Sequence, residues 1–184
     1  GLKVFCAVPA WSRVRFVRVA RDETAATTLA MLADCFDTLG GVPAKVLADR
    51  MGCLKGGTIA NVVIPTPDYV RFATHYRFVP DFCHPADPES KGIVENLVGY
   101  AKTDLVLPDS DDLAVLNDAC RVWCCEVNAR AHSEICAIPD VRLVEERALL
   151  RELPMLRPRI GRVEVRKVDK LSIGQVWKPG TTTK

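Results

Sequence analysis

The 184-residue sequence lacks any uninterrupted apolar run approaching the roughly 18–20 residues that a membrane-spanning helix needs, which excludes a helical membrane protein. It does not open on Met, and Gly1-Leu2-Lys3-Val4-Phe5 lacks the charged head and apolar stretch of a signal peptide. That opening reads as the middle of a strand pair, so the chain is expected to be a piece of a longer polypeptide. Its eight cysteines, at 6, 35, 53, 83, 120, 124, 125 and 136, include no CxxC pair and no matching His-x₃₋₅-His, so a zinc site is not expected. Scattered through apolar segments, they read as reduced, buried thiols of a cytoplasmic protein, behaving as small hydrophobes. A formal net charge of +2 is too small to argue for nucleic acid by itself. Internal repeats and low-complexity segments are absent as well.

What is present is the mixture of an ordinary globular chain: 48% apolar and 26% charged residues, in a length sufficient for one good-sized domain or one domain with an appendage. Residues 2–8 form an apolar, strand-like run. Pro9-Ala10-Trp11-Ser12 reads as a turn, and Arg13 to Ala20 as a second strand, together an antiparallel hairpin. Asp22 or Thr24 caps a helix carrying Leu29, Leu32, Phe36 and Leu39, which Gly40-Gly41 ends. Lys45 to Asp49 reads as a short buried strand, followed by a Gly-rich loop at Gly52, Gly56 and Gly57. A helix from Thr66 or Asp68 through Tyr76, a strand from Phe78 to Cys83 and a turn-rich loop over 84–90 come next. Lys91 opens a helix through Ile93, Val94, Leu97, Val98 and Ala101. Another runs from about Asp111 to Asn128, with Leu113, Leu116, Ala119 or Cys120, and Trp123 on one stripe. A third starts near Pro139 and carries Val141, Val144, Ala148 and Leu149. This order fits a mixed sheet flanked by helices.

After Leu153-Pro154 the texture changes. Positions 151–170 hold Arg151, Arg157, Arg159, Arg162, Arg166, Lys167 and Lys170 against Glu152, Glu164 and Asp169. That excess can follow a phosphate backbone, although a solvated basic tail reads the same. The expected divisions are a core over 1–107, a helical extension over 108–153, and a basic arm or incomplete β module over 154–184.

Two segments can carry chemistry. In Val46-Leu47-Ala48-Asp49-Arg50 an acidic residue ends an apolar strand, and in α/β sheets the carboxyl ends of strands border the ligand crevice. An Asp that only begins a Gly-rich loop looks identical. In Lys91-Gly-Ile-Val-Glu95-Asn, helical spacing puts Lys91, Glu95, Gly99 and Lys102 on nearly one face. Here a surface Glu making helix-face ion pairs, worth a few tenths of a kcal/mol, is the rival reading.

Leu-Ala-Asp49-Arg followed by Lys-Gly-Ile-Val-Glu95-Asn resembles the second and third carboxylates of the retroviral-integrase, or DDE, superfamily. The turn at Trp11-Ser12-Arg13 fits the same pattern. Within that superfamily the chain is similar to the IstA-type insertion-sequence transposases. This likeness is carried by His84-Pro-Ala-Asp-Pro-Glu-Ser-Lys-Gly-Ile-Val-Glu95, by Asn128-Ala-Arg-Ala-His132, by Ile138-Pro139, and by Glu145-Glu-Arg147-Ala-Leu149 leading to Leu153-Pro154. The resemblance covers about residues 1–160. It implies an α/β, RNase H-like mixed sheet of five strands flanked by helices, then C-terminal helices and the start of a small β module. It implies Asp49 and Glu95 as catalytic, metal-binding residues for two Mg²⁺ ions about 4 Å apart, with Mn²⁺ an alternative. Lys91, Lys102 and Arg50 are the DNA-binding candidates. The implied activity is end cleavage and strand transfer on DNA, by a homo-oligomer with an AAA-type ATPase helper. Its implied location is the bacterial cytoplasm, at the nucleoid when DNA is bound.

The pattern's first Asp would lie on a strand upstream of Gly1. Asp22, Glu23, Asp34 and Asp37, the acidic residues before Asp49, all fall at or inside the first helix and cannot replace it. The chain by itself is therefore expected to be inactive, and to lack the helix-turn-helix with which such transposases find their element ends. Two rivals stand beside the transposase reading: a non-catalytic DNA-binding or assembly module, and an unrelated α/β domain with a cysteine-based role.

Overall fold

A computed structural model describes residues 1–83 and 88–158. Six strands and five helices follow one another as β1 (Lys3–Ala7), β2 (Phe16–Ala20), α1 (Ala25–Leu39), β3 (Lys45–Ala48), β4 (Lys55–Ile59), β5 (Val62–Pro65), α2 (Pro67–Tyr76), β6 (Val79–Phe82), α3 (Pro88–Asp104), α4 (Leu113–Asn128) and α5 (Pro139–Glu146). A 3₁₀ turn over Arg147–Leu149 continues α5. The basic arm or β module expected beyond 158 lies outside the described residues, as does the loop at 84–87. None of the described helices is long and apolar enough to cross a membrane.

β1 and β2 pair antiparallel with Lys3 opposite Ala20 and Ala7 opposite Phe16, the expected hairpin. β3 and β6 pair parallel, Lys45 opposite Val79 and Ala48 opposite Phe82. Between them the expected helix is present as α2, but the segment expected as a Gly-rich loop forms a third pair, the β4–β5 hairpin. Its turn, Ala60-Asn61, has φ of 46° and 65°, the double positive φ that two-residue hairpins of matching twist require. Gly56 and Gly57 hid this hairpin, because glycine weakens the strand signal that Thr58-Ile59 and Val62-Val63-Ile64 carry.

Caps fix the helix ends. Thr24 accepts from the Thr27 amide, Thr66 from the Tyr69 amide, and Asp112 from the Ala114 amide. Gly40 closes α1 at φ 78°. A Cβ at Gly41 would stand 2.6 Å from Leu150 Cβ, so only glycine lets the segment after α5 reach the end of α1. There Val42 and Arg151 exchange backbone hydrogen bonds of 2.8 Å.

The interior falls into three apolar clusters. Leu29, Leu32 and Phe36 of α1 meet Tyr69, Phe72 and Tyr76 of α2 and Phe78 and Phe82 around β6. Phe36 is the hub, with ring centroids 6.3, 5.2 and 5.6 Å from Phe72, Tyr76 and Phe78. In the second cluster Val17 and Val19 of β2 meet Leu97 and Ala101 of α3 and Leu116, Cys120 and Trp123 of α4. Thus α4 buries the stripe read from its spacing. The third joins Val14 and Phe16 to Cys35, Leu39 and Leu143. Here the expectation for α5 fails: Val141, Val144 and Leu149 are exposed, and Pro139 and Leu143 are the buried residues. Pro139 and Leu143, four apart, share one face of the helix, and the apolar stripe chosen from the sequence lies on another. The cysteine reading holds in part. Cys35, Cys120 and Cys124 are buried free thiols, Cys6, Cys53 and Cys83 are half-buried, and Cys125 and Cys136 are exposed. Burial pushes the Cys6 and Cys35 thiols up to about 12, so both stay protonated and inert at neutral pH.

Candidate active site

β3 carries Val46 and Ala48 toward the first core cluster and leaves Leu47 39% exposed, so it is half-buried where a fully buried strand was expected. Asp49 follows its last residue. The carboxylate accepts from the Arg50 amide at 2.7 Å, which turns the chain away from the strand direction. The Arg50 Nε donates to the Cys83 carbonyl at 2.9 Å, tying the end of β3 to the end of β6. These two parallel strands therefore finish side by side, with an exposed carboxylate between their ends and solvent.

α3 begins at Pro88, three residues earlier than read from the sequence, so Glu95 stands about two turns in rather than in the first turn. Leu97 and Ala101 are buried against β2 and α4. Glu95, two positions before Leu97, points the other way because successive helical residues are separated by about 100°. Tyr100 packs 5.4 Å from Trp123, and the Trp123 indole N–H donates to Asp104 at 2.7 Å, fixing the helix in rotation.

Asp49, Glu95 and Lys102 all line one open cleft of about 1230 Å³. Cys83 lines it too, whereas Arg50 stands behind it with its Nε committed to that residue. Lys91 lies on α3, and its side chain is outside the described residues. The cleft's long walls are Lys3 to Ala10, around β1, and Pro43 to Asp49, around β3. Consecutive residues of each strand, not alternate ones, face it, so it runs along two strand edges. Among the described residues, neither edge pairs with another strand. Its volume exceeds the roughly 300–1,000 Å³ typical of small-molecule pockets.

No protein-family model matches the chain. It is 32% identical over 151 residues to the "Transposase for insertion sequence element IS21-like" of Bacteroides fragilis, a match covering 80% of this chain and 29% of that protein. It is 28% identical over 156 residues to the "Putative transposase for insertion sequence element IS5376" of Geobacillus stearothermophilus, covering 84% and 38%. Over about four fifths of its own length the chain is thus similar to IS21-type transposases. It spans about a third of the length of these relatives. In structure it is similar to the catalytic core domain of BIV integrase, with a TM-score of 0.59 at 16% identity over 79% of this chain and 87% of that one. It also matches a chain of the simian T-cell lymphotropic virus intasome in complex with the PP2A regulatory subunit B56 gamma, with a TM-score of 0.55 at 18% identity over 100% of this chain and 54% of that one. The fold is the RNase H-like fold of integrase catalytic cores.

Proposed function

We propose that this segment forms most of the catalytic core of a DNA transposase, with Asp49 and Glu95 as two of its metal-holding carboxylates. The observation that supports this most is that two carboxylates far apart in the chain, one at a strand end and one on a helix, line a single cleft. Two exposed carboxylates beside open solvent suit a hard ion that binds through one or two such groups and keeps much of its water. Among the described residues no group of three His, Cys, Asp or Glu side chains gathers, so a two-ion site needs a further donor.

The cleft suggests where that donor sits. Among the described residues β1–β2 and β3–β6 are separate two-stranded sheets; α1 links β2 to β3 as a helical crossover, the connection that parallel strands of one sheet use, and in such a sheet β1 would run antiparallel to both. A strand seated between β1 and β3 would pair antiparallel with the first and parallel with the second, closing a five-strand mixed sheet. Its carboxyl-terminal end would then lie beside Asp49, where the first Asp of the superfamily pattern is expected.

A bound Mg²⁺ pair would supply charge neutralisation for an in-line displacement at phosphorus. Asp49 and Glu95 would be among the residues that hold those ions. Lys102 lines the same wall and would bind a flanking phosphate; Lys91 and Arg50 are further candidates for the DNA contact. In end cleavage a water oxygen would replace the 3′ oxygen at phosphorus, and the freed 3′-hydroxyl would then displace a target 3′ oxygen. Partners would be element ends and target DNA, a second copy of the protein on DNA, and an AAA-type ATPase, in the bacterial cytoplasm.

The test is cleavage of terminal-repeat DNA with Mg²⁺ by a polypeptide extended upstream through the missing strand. Asp49→Asn and Glu95→Gln should each lower the rate by more than about a hundredfold, beyond what loss of an outer-sphere partner costs. Cleavage that survives both substitutions would dispose of the assignment.

A further inference from the structure

On the far side of α3 from Glu95 lies a second cavity, of about 240 Å³, that the transposase reading leaves unused. Arg13 and Arg15 enter it from the turn before β2, Asn96 from α3, and His132, Ser133 and Glu134 from the loop after α4. Ile93 lines both this cavity and the carboxylate cleft, so the two are separated by one helix thickness.

The cavity is built, and the Asn128-to-His132 motif builds it. Asn128 accepts from the Arg15 amide at 2.8 Å and donates to the Arg15 carbonyl at 2.9 Å, pinning that backbone like a paired strand. The Arg15 guanidinium donates to the Val127 carbonyl at 3.0 Å and lies 5.1 Å from the Tyr100 ring centre. Four residues after Asn128, the His132 amide donates to the Ala137 carbonyl at 2.8 Å, which holds the loop against the cavity.

Its polar groups are under-used. The Arg13 side chain is 15% exposed, and its one carboxylate partner is Glu134, 2.9 Å away and itself 56% exposed. The Arg13 Nε and Nη1 groups and the His132 Nδ1 are buried without a hydrogen-bond partner. Arg13 also holds φ 61°, a conformation that costs a non-glycine residue energy and often marks a functional position. Burial and then the nearby Arg15 charge hold the His132 imidazole below its ordinary range. Two guanidinium groups, an imidazole, an amide and a hydroxyl around one small cavity are the donors that a tetrahedral oxyanion uses.

We propose that this cavity is a phosphate subsite, gripped by Arg13, Arg15 and His132, in which Glu134 holds the place of the anion until it binds. The phosphate is one carried by a DNA backbone or a free phosphate ion. Only the DNA source rests on the transposase reading.

The full chain distinguishes these. Binding of a fluorescent DNA duplex is followed by anisotropy across a salt series, and binding of inorganic phosphate by thermal shift against chloride at equal ionic strength. Arg13→Gln should weaken binding about tenfold or more, the worth of a charge-assisted hydrogen bond. Glu134→Gln, at a half-exposed position that the fold tolerates, should strengthen it about two- to fivefold by removing a competing ion pair. If both substitutions move DNA affinity in these opposite directions, and Arg13→Gln flattens the salt slope by about one, the phosphate belongs to DNA. A response to inorganic phosphate alone supports the subsite with a free ion as its source. DNA and phosphate binding that both ignore the two substitutions would overturn the subsite while leaving the Asp49–Glu95 cleavage test standing.

Discussion

β1 and β2 are the two five-residue arms of one hairpin, yet all of β2 is buried while β1 is exposed at Lys3 and Val4 and half-buried beyond. Both are apolar enough to be core strands. The difference lies in their neighbours: β2 has β1 beside it and α3 and α4 over its face, whereas the far edge of β1 opens on the large cleft. β3 repeats the pattern from the other side, with Leu47 left 39% exposed. Two apolar strands that border one cleft and stay half-wet present open edges, the kind that invites another strand. The aromatic cluster around Phe36 also reaches the cleft wall, through Phe36 and Tyr69, yet Phe36 is 1% exposed because α1, α2 and β6 surround it.

Four substitutions would break or sharpen that contrast. Removing the hub ring by Phe36→Ala should cost about 3–5 kcal/mol, read by urea denaturation. Loss under about 1 kcal/mol would mean that the cluster is not the stable part. The next effect is a difference between paired positions. Val19→Ala on the closed strand should cost about 2 kcal/mol, and Val4→Ala, opposite it on the open one, less than about 0.5 kcal/mol. Extending the polypeptide upstream should bring the two costs together, and equal costs without extension would remove the case for an open edge. The smallest effect is that of the α1 cap: Thr24→Ala should cost about 1 kcal/mol through the amide it leaves unbonded, detectable as a small midpoint shift in the same urea titration.

Much of this was legible in the residues, for reasons that can be named. α1, α2 and α4 carry clear apolar spacing and side-chain caps at Thr24, Thr66 and Asp112, so local signals and packing agree. The β4–β5 hairpin was missed because Gly56 and Gly57 interrupt it and its turn uses Ala60, a residue that rarely takes positive φ. α5 misled because Val141 and Val144 look like an anchor stripe, while tertiary packing selects Leu143. Asp49 and Glu95 could be nominated from their motifs, but nothing in either motif says that the two share a cleft. The Arg13 cavity was not legible at all. Its groups come from three distant segments, and the motifs that hold Arg13, Asn96, Asn128 and His132 gave no sign that these residues meet.

Manganese broadening of backbone amide signals tests the central claim most directly, because the ion relaxes only nuclei close to where it binds. With excess Mn²⁺, the account predicts loss of signal around both Asp49 and Glu95, and recovery at both places in either Asp49→Asn or Glu95→Gln. Broadening at one residue alone, or broadening at Glu95 that persists in Asp49→Asn, would contradict a shared ion.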